Sequence, residues 1–172
     1  MRRIISATVL NRSGVLNRLT GLLTKRQFNI ESITVGQTDQ PDVSKITMAV
    51  HVNDDNKAEQ LVKQLHKQID VLKVKDLTEL AVVTRELALI KVMTVPETRS
   101  EIKMLIEPFR AVVLDVSHES ITVEVTGESK KIEALIELLR PYGIKGISRT
   151  GITAMPRGSQ KSVLEFNSYY IV

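Results

Sequence analysis

What most narrows the fold of this chain is one order of elements that runs through it twice. Residues Arg3 to Leu10 are rich in Ile, Val and Thr and read as a strand. Val15, Leu16, Leu19, Leu22 and Leu23 then recur at helical spacing, with Asn17, Arg18, Lys25 and Arg26 opposite. Ile30, Ile33 and Val35 open a second strand, Gln37 to Asp42 with Pro41 make a turn, and Ser44 to Val52 alternate as a third strand. Beyond a polar cap region, Asn53 to Asn56, a helix carries Leu61, Val62, Leu65 and Ile69. Val71 to Val74 form a short fourth strand. The order is βαββαβ.

The same order follows again. Leu87 to Val95 read as a strand stopped by Pro96, and Glu97 to Phe109 as a helix with Ile102, Leu105, Ile106 and Phe109 on one face. Ala111 to Val116 and Ile121 to Val125 are strands joined through His118 to Ser120. Gly127 and Ser129 stand where the next helix should be capped. Ile132, Leu135, Ile136 and Leu139 form its apolar stripe, Pro141 and Gly143 end it, and Ile144 to Ser148 is a last strand. The fold class expected is therefore α+β: two tandem ferredoxin-like βαββαβ domains. Their spans are residues 1–76 and 84–158, with a linker at 77–83 and a tail at 159–172. Each domain covers one sheet face with its helices. Strands such as ITMAV are apolar on both sides, so the other face calls for a partner.

The turn at Asn11 to Gly14 joins a strand to the N-terminus of a helix. Free backbone N–H groups there make a compact anion site. Asn11 and Ser13 are also good helix caps, and both readings stand. Asn29 fits a turn before a strand. Other chemistry is thin. The chain has no cysteine, which removes disulfides and thiolate sites. His51, His66 and His118 lie far apart and show no metal-ligand spacing. No nucleophile-elbow pattern is present. GESKK at Gly127 to Lys131 lacks the spacing of a phosphate loop and reads as a helix cap. No catalytic or metal residue is expected.

The net charge of +4 is dispersed and aromatics make up only 3% of the chain. RNA-binding modules of this architecture stack bases on strand aromatics, and SKITMAV and LALIKVM have none. No nucleic acid is expected. Nor is a membrane: no run approaches the roughly 18 apolar residues of a span, and the N-terminus lacks signal-peptide features. A cytoplasmic protein is expected.

The N-terminal half resembles an ACT domain, the βαββαβ module that senses amino acids. NRSGVLNRLTGLLTKRQFNIESITVG, KQLHKQIDVLKV, RELALIKV, IEPFRA, VTGESKKIEALIELL and ISRTGITAMPRG together are similar to the regulatory (small) subunits of acetolactate synthase, also called acetohydroxyacid synthase. The likeness covers about residues 2–158. It implies a subunit without catalysis of its own. Such a subunit binds a large catalytic subunit carrying thiamine diphosphate, magnesium and FAD, raises its activity and makes it sensitive to valine. No cofactor is implied on this chain.

The resemblance also implies a homodimer through the ACT domains, with valine between them. Gly14 would leave room for the ligand, and the N–H groups of Val15 and Leu16 would receive its carboxylate. Asn11 would bridge its polar end. Asn29, from the facing protomer, would offer a donor and an acceptor, and Ile30 and Leu16 would supply apolar wall. Gln27 departs from the family, where Gly is common. In a left-handed conformation it would cost roughly 1–2 kcal/mol. The alternative function is a stand-alone ACT sensor acting on another protein.

Overall fold

The computed structural model describes residues 1–158 and the backbone of 165–167. In chain order the elements are β1 (Arg2–Leu10), α1 (Val15–Lys25), β2 (Asn29–Gln37), β3 (Val43–His51), α2 (Asp55–His66), β4 (Val71–Asp76), β5 (Val82–Met93), α3 (Pro96–Ile106), β6 (Val112–Val116), β7 (Ser120–Gly127), α4 (Ser129–Leu139), β8 (Ile144–Arg149), β9 (Thr153–Pro156) and β10 (Glu165–Asn167). They form two compact units, Met1–Val83 joined by the chain from Ile152, and Thr84–Gly151.

In the first unit the strands lie in the order β10-β4-β1-β3-β2. Ile5 faces Met48 and Ala7 faces Ile46 across β1 and β3, so one face of the sheet is continuously apolar. Leu19 and Leu23 of α1 and Leu61, Val62 and Leu65 of α2 bury against it. Asp54 caps α2 by accepting from the Lys57 N–H at 2.8 Å. The helix stops at His66, so Ile69, expected on its apolar stripe, lies beyond it and is 91% exposed.

α1 ends in a Schellman motif. Phe28 N–H donates to Leu23 O at 3.0 Å and Gln27 N–H to Thr24 O at 2.9 Å, with Gln27 at φ 60°. The turn keeps its shape without the glycine that makes it easy.

The other face of this sheet, where a partner is expected, is covered in part by the chain itself. Leu77, Ile152 and Ala154 bury against Ala49, with Ile4, Leu80 and Val82 packed around them. Residues 77–83, expected as a linker, are thus packed: Leu77 N–H donates to Ile4 O at 2.8 Å and Arg157 N–H to Ala81 O at 2.8 Å. The expected interval 84–158 runs past the second unit by this same returning segment. The tail 159–172 lies outside the described residues except for β10, whose backbone pairs with β4.

The second unit repeats the plan with strand order β6-β7-β5-β8. Ala88, Ile90 and Val92 of β5 and Val123 and Val125 of β7 bury against Ile102, Ile132, Leu135 and Leu139 of the helices. α3 ends at Ile106 and continues as a 3-10 turn, Glu107–Phe109. Both units are ferredoxin-like.

Candidate functional site

The turn before α1 is built on two anchors from a neighbouring hairpin. Asn11 N–H donates to Asp42 O at 2.7 Å, and Asn11 Nδ2 donates to Pro41 O at 3.1 Å. Gln37 Nε2 reaches the same Pro41 oxygen at 2.7 Å. The Asn11 side chain is therefore spent on the hairpin and caps nothing: α1 has no side-chain cap, and its N-cap residue is Gly14 at φ 83°. A side chain there would be strained by that φ, and its Cβ would stand 3.3 Å from Arg18 Nη1.

Gly14 O accepts the first helical bond, from Arg18 N–H at 3.0 Å, and the Arg18 guanidinium pairs with the buried Asp70 carboxylate. Val15 N–H donates to Arg12 O at 3.3 Å, so of the two N–H groups expected to receive a carboxylate one is already engaged. The groups that follow it in the first turn meet no side-chain acceptor. Val15 is buried, whereas Leu16 is 42% exposed beside them. Backbone donors next to an apolar side chain can hold a carboxylate with a short aliphatic group.

Asn29 and Ile30 stand elsewhere. They open β2 just past the C-terminus of α1, about 16 Å from its start at 1.5 Å per residue. Asn29 is exposed and Ile30 half-buried against the first core. Next to them Glu31 accepts from Arg2 Nε at 2.9 and 3.0 Å and lies 3.1 Å from His51 Nε2. The Arg2 hydrogen bonds hold the Glu31 carboxyl below its ordinary 4.5, against a smaller opposing effect of burial. One chain thus brings Asn11, Gly14, Val15 and Leu16 together and keeps Asn29 and Ile30 at the far end of the helix.

Gln37 and Pro41 were not singled out by sequence reasoning. The turn signal at Pro41 was visible, but not that its carbonyl would hold Asn11. In the second unit Ser129 is not a cap: Glu128 is the N-cap residue, and Ser129 Oγ donates to Glu86 Oε2 at 3.1 Å. Lys131 Nζ ties back to Thr126 O at 2.9 Å. Among the described residues no three His, Cys, Asp or Glu side chains converge as a metal site, and no helix is long and apolar enough to cross a membrane.

A family model described as the small subunit of acetolactate synthase matches residues 85–158, and one described as the AHAS small subunit-like ACT domain matches residues 5–73. The acetolactate synthase small subunit of Bacillus subtilis (strain 168) is 64% identical over 172 residues, covering 100% of both chains. A probable acetolactate synthase small subunit of Methanothermobacter thermautotrophicus is 51% identical over 158 residues, 91% of this chain and 94% of the relative. The crystal structure of an acetolactate synthase small subunit from Thermotoga maritima superposes with a TM-score of 0.83 at 40% identity, covering 93% of this chain and 99% of that one.

Proposed function

The chain belongs to the family of acetolactate synthase small subunits, regulatory and not catalytic, and we propose that it activates a large catalytic subunit and makes that subunit sensitive to valine. Thiamine diphosphate, magnesium and FAD then belong to the large subunit and none to this chain. Valine binds between the ACT domains of two copies, with its carboxylate at the start of α1 and its side chain on Leu16 of one copy and Ile30 of the other.

One relationship carries the two-copy reading. β2 is the edge strand of its sheet, and it runs from Asn29 to Gln37. The Asn11 turn hangs from Pro41 and Asp42, just past the Gln37 end. Antiparallel pairing of two β2 edges about a twofold axis lays the Asn29 end of one strand beside the Gln37 end of the other. Asn29 of one copy then meets the Asn11–Gly14 turn of its partner, which one chain alone does not achieve.

Regulation requires that valine favour one arrangement of the dimer over another. A coupling of about 1–3 kcal/mol gives a several-fold to hundredfold effect. An apolar wall separates valine from ligands one methylene larger by only about 1–3 kcal/mol, so leucine and isoleucine act as weaker effectors.

The test is acetolactate formation by the cognate large subunit with and without this chain, across a valine titration. Stimulation that valine reverses is the expected result. Gly14→Asp sets a carboxylate against that of valine and should leave stimulation intact with valine sensitivity lost. Full sensitivity in that variant would refute the site. No stimulation, and no co-purification with the large subunit, would refute the subunit reading and leave a sensor of another protein.

A further inference from the structure

On the opposite face of the first sheet from α1 and α2 lies a recess of about 470 Å³. Its floor is Thr34 and Gly36 of β2 with Lys45 and Thr47 of β3, which face one another in register, Thr34 to Thr47 and Gly36 to Lys45. Asp39 also lines it, as do Thr153 and Met155 of the returning segment. The volume is that of a small-molecule pocket.

Lys45 is the unusual residue. It is half-buried, and among the described residues its ammonium has no hydrogen bond or ion pair with a carboxylate. The strand register sets two further lysines on the same face: Thr8 stands between Lys45 and Lys73, and Ser6 faces Lys75. Burial first, and the positive charge of Lys75 second, push the Lys45 ammonium below its ordinary 10.5. A cation kept in a recess against both effects is ready to gain from an anion.

We propose that this recess binds a small carboxylate metabolite, held by the Lys45 ammonium over a floor of threonine and glycine. It is distinct from the turn at the start of α1: none of Asn11, Gly14, Val15 and Leu16 lines it. Two sources share the chemistry. A 2-oxo acid uses Lys45 alone, whereas an amino acid also places its ammonium at Asp39.

The experiment is an NMR titration of the ¹⁵N-labelled full chain with sodium pyruvate, with valine, and with sodium chloride at matched ionic strength. The amides of Gly36, Thr47 and Thr153 should shift saturably with pyruvate or valine and not with chloride. Lys45→Arg should bind like the native chain, and Lys45→Met at least tenfold more weakly. If valine is the ligand that saturates, Asp39→Asn weakens it and leaves pyruvate unaffected. Should Lys45→Met lose its native spectrum, Gly36→Leu serves instead. A Cβ at Gly36 meets no atom within 4 Å, so the side chain starts into open space on the floor of the recess and should block binding. Three outcomes overturn the proposal: saturation by none of the probes, native affinity in Lys45→Met, or shifts confined to Gly14 and Leu16.

Discussion

Arg149 grips Glu86 through two parallel hydrogen bonds, Nε to Oε1 at 2.5 Å and Nη2 to Oε2 at 3.0 Å. Glu86 is 5% exposed, and its second oxygen also accepts from Ser129. The third arm of the guanidinium reaches Glu133 at 2.5 Å. One cation thus ties the first and last strands of the second unit to α4. Its partners, Glu86 first, hold the guanidinium even further above neutrality than is usual, so no accessible alkaline pH releases the clamp by deprotonating Arg149. Arg149→Ala strands a buried carboxylate. Because Arg149 is itself one-third exposed, the expected loss is about 2 kcal/mol, below the range for a fully buried pair. Faster hydrogen exchange at Val123 and Ile132, with Ile5 and Met48 unchanged, would place that loss in the second unit. Unchanged exchange would contradict it.

Gln27 predicts a gain. It occupies the left-handed position of the Schellman turn after α1 at φ 60°, where a side chain costs roughly 1–2 kcal/mol. Gln27→Gly removes that strain and adds some freedom to the unfolded chain, so stability should rise by about 1 kcal/mol. Urea unfolding reads it as a higher midpoint at unchanged slope. A lower midpoint would mean that the Gln side chain contributes more than the strain costs.

Glu31 predicts a dependence on acid. Its folded pKa lies below the ordinary 4.5, mainly through Arg2. A depressed carboxyl stabilises the fold fully above its unfolded pKa and loses that contribution as pH falls through the folded value. The window therefore lies below about pH 4.5. The group is 38% exposed and screened, so less than about 1 kcal/mol is at stake. Glu31→Gln should lower the thermal stability slightly near neutrality and converge with the native profile in acid, flattening the acid limb. A parallel shift at all pH values would assign Glu31 a packing role instead.

Leu77 predicts the weight of the covering segment. It is fully buried at the back of the first sheet, so Leu77→Ala should cost about 2–4 kcal/mol. A loss under 1 kcal/mol in urea unfolding would show that the covering layer is dispensable.

The βαββαβ order was legible because α1, α2 and α4 carry apolar stripes at helical spacing and the strands alternate between punctuating turns. The covering layer was not. Leu77, Ile152 and Ala154 come from two short pieces about 75 residues apart, too brief for any period to show. Ser129 reads as a cap because Ser is among the residues best suited to the N-cap, yet the helix starts on Glu128 with no side-chain cap. Only the partner Glu86, 43 residues away, decides that its hydroxyl points elsewhere. At the effector site the Gly-bearing turn before α1 was readable in one chain. Asn29 could be placed there only through a family resemblance, since the fold puts it at the far end of α1.

That separation allows the two-copy reading to be tested by complementation. If valine sits between Asn11 and Gly14 of one chain and Asn29 of another, Asn11→Ala and Asn29→Ala each damage every site in their own homodimers. Asn11→Ala also frees the turn from Pro41, so it should weaken binding more than Asn29→Ala does. Unfolding the two variants together and refolding them produces mixed dimers. In each, one site carries both substitutions and the other neither, so about one quarter of all sites become native on random pairing. A valine titration by calorimetry should then recover a tight-binding fraction of that size, absent from either variant alone. A site contained within one chain would recover none, because every chain in the mixture carries one damaged residue.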